Sequence, residues 1–312
     1  MDLLCFENSE TECRAYPDPA LLEDDRVLKN LLMSEERFAP RSSYFQCVQK
    51  DISPAMRKIV AEWMFEVCEE QKCQEEVFPL SMNYVDRFLS VCEIKKAQLQ
   101  LLGTACLLLA SKLREPRPLS AEVLVFYTDN SVTLDDLWSW EQLVVSKLKW
   151  ELSAVTPGDF LLHILRRLPV DQQAWDSMMI RRHAKTFISL SAREYKFAMY
   201  TPSIIAAASI AAALHGLDWT GKSGFTLPLL LDELTRITSV EPDYLQDCLQ
   251  QIEEMLAEMR GGGSHPVDPA ATSSTVSSAP QQRPLGDQNS SQDKILEHEK
   301  AGTPTDVRDV HF

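Results

Sequence analysis

The 312-residue sequence predicts an all-α protein: two consecutive five-helix bundles between flexible N- and C-terminal extensions. Three observations carry this. Apolar residues recur at helical spacing through residues 51–260, and no strand alternation competes. The same plan occurs twice, each time with a small-residue helix, apolar nearly all round, in third place. Composition also shifts sharply at Gly261-Gly262-Gly263. From there to Phe312, 21 of 52 residues are Gly, Pro, Ser or Thr, too few apolar groups to offset the entropy of ordering.

The elements follow in order. Residues 1–50 form an N-terminal extension, irregular apart from one helix around Leu21–Leu32. Residues 51–152 hold the first bundle. Ser53 caps its first helix with Pro54 in the first turn. Met56, Ile59, Val60, Trp63, Met64 and Val67 then fall on one stripe. A second helix runs near Leu80–Ser90. The third, about Ala97–Lys112, is apolar nearly all round and so is expected to be buried. Leu119–Tyr127 is the short fourth, and Thr133 with Asp136 opens the fifth, ending near Lys147. Residues 153–260 repeat the plan. Thr156-Pro157 starts a helix through Leu168, a long helix spans Gln172–Arg193, and Thr201-Pro202 caps the Ala-rich Ser203–Leu214. Helices near Leu229–Ile237 and Pro242–Met259 complete the set. Residues 261–312 are a disordered tail.

Composition narrows the function classes. The net charge is -15, the wrong sign for gripping a phosphate backbone and the right sign for basic protein partners. So no nucleic-acid partner is expected. No apolar run reaches the length of a membrane span, and Asp2 stands where a secretion signal needs base, so no membrane partner is expected either. The eight cysteines contain no Cys-x-x-Cys pair and the histidines are scattered, which leaves no zinc spacing. Their thiols are expected to be reduced, most of them as small core residues, in the cytosol or nucleus.

Particular residues sharpen the reading. Met56-Arg57-Lys58-Ile59-Val60 followed by Trp63 resembles the docking-groove motif of the cyclin family, with Lys58 and Val60 departing from its usual form. Leu107-Leu108-Leu109-Ala110-Ser111-Lys112 resembles that family's third-helix motif. Leu3, Cys5 and Glu7 fit Leu-x-Cys-x-Glu, and Thr303-Pro304-Thr305-Asp306-Val307 resembles a C-terminal degradation signal. Together these resemble the D-type cyclins over nearly the whole chain, least between Ser264 and Gly302. The two bundles are then tandem cyclin boxes.

The resemblance implies a regulatory subunit of cyclin-dependent kinases four and six. It would act at the G1/S transition by directing phosphorylation of retinoblastoma-family proteins. It implies that Lys112 and Glu141 hydrogen-bond the kinase's regulatory helix, with Leu113, Trp150 and Leu152 packing against it. On chemistry alone, the two charges read as solvated helix ends and Trp150 as a core aromatic. Met56, Arg57, Ile59, Val60 and Trp63, with Glu66 and Gln100 beside them, would form the groove for Arg-x-Leu peptides of substrates and Cip/Kip-type inhibitors. On periodicity alone the apolar stripe reads as core. Glu66, Glu69, Glu70, Glu75 and Glu76 would attract the basic part of such peptides, or are simply a solvated helix end and loop. Leu3, Cys5 and Glu7 alternate on an extended segment and would present one face to a retinoblastoma-type pocket. Thr303 lies where a kinase can reach it, with Thr305 second. Phosphate there adds roughly two negative charges, and the resemblance implies that nuclear export and capture by a ubiquitin ligase follow, hence a protein shared between nucleus and cytoplasm.

No catalytic motif for hydrolysis, redox or kinase chemistry is present, so a non-enzyme without cofactor is expected. Gly216-Leu217-Asp218-Trp219-Thr220-Gly221-Lys222-Ser223 matches the P-loop pattern, but an Ala-rich helix precedes it where a strand is required, and it is read as an interhelical loop. The alternative to a kinase regulator is a cyclin-fold transcription adaptor without a kinase partner.

Overall fold

The computed structural model describes residues 16–41, 43–169 and 177–261. The elements among them are all helical. In the N-terminal segment these are α1 (Pro19–Glu23), α2 (Asp25–Glu35) and α3 (Tyr44–Cys47). The single helix expected over Leu21–Leu32 is thus two. Asp18 and Asp24 each accept from a backbone N–H two residues on, so each starts its own helix, and extended backbone at Asp24 divides them.

Next come α4 (Pro54–Glu70), α5 (Val77–Leu89), α6 (Leu99–Arg114), α7 (Ala121–Tyr127) and α8 (Leu134–Lys147). Ser53 Oγ caps α4 through the Met56 N–H, and Thr133 caps α8 through the Asp136 N–H. The run Leu102–Ser111 of α6 is buried throughout, as expected of a helix with no polar face. Gly103 is where α4 and α6 close on each other. A Cβ there would stand 2.9 Å from Val60 Cγ1 and 3.0 Å from Met64 Sδ.

The remaining helices are α9 (Pro157–Arg167), α10 (Ser177–Arg193), α11 (Pro202–Gly216), α12 (Trp219–Ser223), α13 (Leu227–Thr238) and α14 (Pro242–Gly261). Thr156 and Asp159 close a full capping box on α9. The P-loop-like stretch begins at the last residue of α11 and runs into α12, whose Trp219 is fully buried. It is therefore neither a strand-to-helix junction nor a plain loop.

Two apolar cores result. One gathers α4–α8, around Tyr84, Phe88, Leu102 and Leu107. The other gathers α9–α14 and also takes in Leu28 of α2. The N-terminal helices dock on the second core. Arg167 donates to the Leu22 carbonyl at 2.9 Å and pairs with Asp25 at 2.9 Å.

This docking changes one cap. Thr201 Oγ1 contacts Ser203 Oγ rather than the helix backbone. The carboxylate of Glu35, at the end of α2, does the capping instead. It accepts from Ser203 N and from Ser203 Oγ, each at 2.7 Å, and both residues are buried. Burial, outweighing these bonds, holds the Glu35 carboxyl above the usual carboxylate range.

Candidate protein-docking sites

The last turn of α6 carries Lys112, and the middle of α8 carries Glu141. Packing of α6 on α8 brings Lys112 Nζ to 2.5 Å from Glu141 Oε1. The lysine is about half exposed and the glutamate largely covered. A cation in the final turn also suits the helix dipole. Beside it Leu113 is 44% exposed, although the preceding turns of the same helix are buried.

The segment after α8 has unusual backbone. Lys149 and Trp150 both have positive φ, 56° and 64°. Trp150 N bonds the Val145 carbonyl and Lys149 N bonds that of Ser146, which is the Schellman ending of α8. That motif needs one left-handed residue; a second one, a tryptophan, is strained. The strain holds an indole that is 80% exposed. Core packing is therefore not the role of Trp150. Leu152 differs from it. It is half-buried against the first core, and its carbonyl accepts from Tyr84 OH at 2.6 Å. The chain between them is tied down at Glu151, whose side chain pairs with Arg37 and whose carbonyl accepts from Arg87 at 2.9 Å.

On α4 the apolar stripe divides. Met64 and Val67 are fully buried, Met56, Val60 and Trp63 are half-covered, and Ile59 is 64% exposed. Trp63 is pinned by its indole N–H, which donates to the Tyr127 carbonyl at 3.2 Å. Tyr127, on the rim of this surface, carried no signal in the sequence. Gln100 lies about one turn before Gly103, on the edge of α6 that meets α4, and its Oε1 accepts from Ser131 at 3.3 Å. Glu66 is half-buried. Burial first, and then the neighbouring carboxylates Glu62 and Glu70, hold its carboxyl above the usual range.

Arg57 stands apart from the other groove candidates. Its side chain is 2% exposed. The guanidinium donates from Nε to Asp86 Oδ1 and from Nη2 to Asp86 Oδ2, both at 2.7 Å. It also donates to the carbonyls of Arg193 and Ala192, at 2.9 and 3.1 Å. Tyr44 OH adds a bond of 2.9 Å to Asp86 Oδ1. Four of the five N–H donors of the fork are used and the side chain is covered, so Arg57 does not present its charge to a peptide at the surface. It joins α3, α4, α5 and the end of α10.

The acids near the groove are likewise not all free. Glu75 and Glu76 both pair with Lys185 of α10. Arg193, stacked over the Phe65 ring at 5.0 Å, faces Glu62, Glu66 and Glu69. Leu3, Cys5, Glu7, Thr303 and Thr305 lie outside the described residues.

Comparison with known proteins bears on the whole chain. The sequence model of the cyclin N-terminal domain matches residues 26–153, and that of the cyclin C-terminal domain matches residues 155–281. G1/S-specific cyclin-D2 of Xenopus laevis is 50% identical over 313 residues, covering 100% of both chains. G1/S-specific cyclin-D3 of Homo sapiens is 50% identical over 314 residues, again covering 100% of both. Among solved structures, a viral cyclin from herpesvirus saimiri has the same fold: its TM-score is 0.65 at 24% identity, over 75% of this chain and 97% of that one. Two domain matches in tandem, half-identity from end to end and a shared fold lead to one conclusion: the chain belongs to the cyclin family, in its D-type branch.

Proposed function

We propose that this protein is the activating, non-catalytic subunit of cyclin-dependent kinases four and six, and that it directs them to retinoblastoma-family proteins at the G1/S transition. The observation that carries the reading is the half-exposed Lys112–Glu141 pair, with exposed Leu113 beside it and a strained, exposed Trp150 at the end of the same α8. An ion pair flanked by apolar side chains fixes the register of a partner helix and supplies a central anchor. A kinase needs its own Lys–Glu pair and its magnesium-binding aspartate in place, and both depend on the position of one helix. A subunit that binds only the helix-in state shifts the population toward activity without contributing a reacting atom.

The surface of Met56, Ile59, Val60 and Trp63 takes Arg-x-Leu peptides of substrates and of Cip/Kip-type inhibitors in this reading. Glu66 and Gln100 then stand at its polar edge, and Arg57 serves it only as a support for α4. Leu3, Cys5 and Glu7 contact the retinoblastoma-type pocket. Phosphorylation at Thr303, with Thr305 second, leads to export from the nucleus and capture by a ubiquitin ligase, so the protein shuttles between nucleus and cytoplasm.

Lys112→Glu tests the kinase reading. An exposed ion pair is worth about 0–1 kcal/mol, so helical content and Tm should change little. Kinase binding should weaken at least about 100-fold, because two like charges then face the partner. A variant that still co-purifies with kinase four or six overturns the assignment.

A further inference from the structure

Cys68 and Cys73 sit at the end of α4, where the function above uses neither. The helix closes there as a Schellman motif: Lys72 has φ 52°, its N–H bonds the Glu69 carbonyl at 3.1 Å, and Cys73 N bonds the Cys68 carbonyl at 2.9 Å. In this motif the residues joined by the outer bond bring their side chains together. Here both are cysteines, at the two ends of that outer bond. Cys68 is buried and Cys73 is partly exposed.

We infer that Cys68 and Cys73 form a peroxide-oxidisable dithiol site, closing to an intramolecular disulfide without unfolding of α4. The chemistry assigns separate roles. The neighbouring Cys68 lowers the pKa of Cys73 below the usual thiol value, whereas Cys73 and burial raise that of Cys68. The exposed sulfur is thus the nucleophile and the covered one the resolving thiol. Cys73 thiolate attacks one oxygen of hydrogen peroxide. The O–O bond breaks, giving the sulfenic acid and releasing hydroxide. Cys68 sulfur then attacks the sulfenic sulfur, and water leaves with the Cys68 proton. Two thiols lose one electron each, and the peroxide takes both. The covered position of Cys68 beside it commits Cys73 to the disulfide rather than to further oxidation.

The test uses the full chain, folded, titrated with hydrogen peroxide, quenched by alkylation and digested with trypsin. Cleavage after Lys72 places the two cysteines on separate peptides, so the bond appears as a linked pair. The linked species should be about two hydrogens lighter than the sum of the thiol peptides, and dithiothreitol should abolish it. It should form at about tenfold less peroxide than half-oxidises Cys47 or Cys92. Cys68→Ser should leave Cys73 as a sulfenic acid trapped by dimedone, and Cys73→Ser should leave Cys68 unmodified over the same range. Oxidation of Cys47 or Cys92 first, or oxidation of Cys73 with no linked pair, overturns the proposal.

Discussion

Arg57 meets Asp86 with two parallel bonds of 2.7 Å, in a place where neither side chain reaches solvent. Removing one partner strands a buried charge, which costs about 3–5 kcal/mol. Arg57→Ala and Asp86→Ala should each lower unfolding stability by that amount, and the double variant should lose much less than their sum. Denaturant titration of the three variants checks this. Additive losses would mean that the pair is not one unit.

In the proposed reading, Trp150 couples stability to function. An exposed indole adds little to folding, and left-handed backbone costs a side-chain-bearing residue about 1–2 kcal/mol. Trp150→Gly should therefore hold or raise stability, by up to about 1 kcal/mol, after the extra freedom of glycine in the unfolded chain is offset. Kinase affinity should drop roughly 30-fold or more, the loss of a hot-spot aromatic. Calorimetry beside a binding titration reads both. A variant that binds normally removes Trp150 from the interface.

Glu35 gives a pH signature. Its folded pKa is raised by burial, so the protonated carboxyl is the form that folding favours. That contribution is complete below the ordinary carboxylate value, about 4.3, and is lost as pH rises through the folded value. Glu35→Gln keeps an acceptor and has no charge to bury. Its Tm should gain on the parent as pH rises above about 4.3. Glu35→Ala should cost about 1–3 kcal/mol by leaving the buried Ser203 N–H unpaired. Parallel Tm curves for parent and Gln variant would refute the first statement.

Gly103 sets the spacing of α4 and α6 under the proposed groove. Gly103→Ala puts a methyl 2.9 Å from Val60 Cγ1. Overpacking of this kind costs about 1–3 kcal/mol, and the better helix propensity of alanine returns about 1. Displacement of α4 should also weaken an Arg-x-Leu peptide measured by fluorescence polarisation. Unchanged affinity would show that the groove does not depend on this contact.

Local signals in the sequence carried most of the architecture. Ser53, Thr133 and Thr156 act within three residues of themselves, and the buried α6 and α11 are apolar nearly all round, so a single window reveals each. Long-range partners were not legible. Nothing near Thr201 indicates that a carboxylate 168 residues before Ser203 does the capping. Asp24 reads as one more surface acid in a charged run until its backbone is seen. Arg57 was legible in part: it falls on the Ala61, Met64 and Cys68 stripe, the buried face of α4, and not on that of Met56 and Ile59. The motif's name for the segment obscured a periodicity the residues already had. For Lys112 and Glu141, spacing put a cation and an acid on two helices, but their contact required the packing of α6 on α8.

The docking of α2 has a consequence for biosynthesis. Leu28 and Glu35 leave the ribosome early, yet the helices that receive them, α9 and α11, are translated much later. The start of the chain must wait undocked while the first bundle assembles behind it. Fragments that begin after Glu35 would therefore leave the earlier bundle's core complete and the later one missing a wall, so an amino-terminal truncation injures the far half of the molecule.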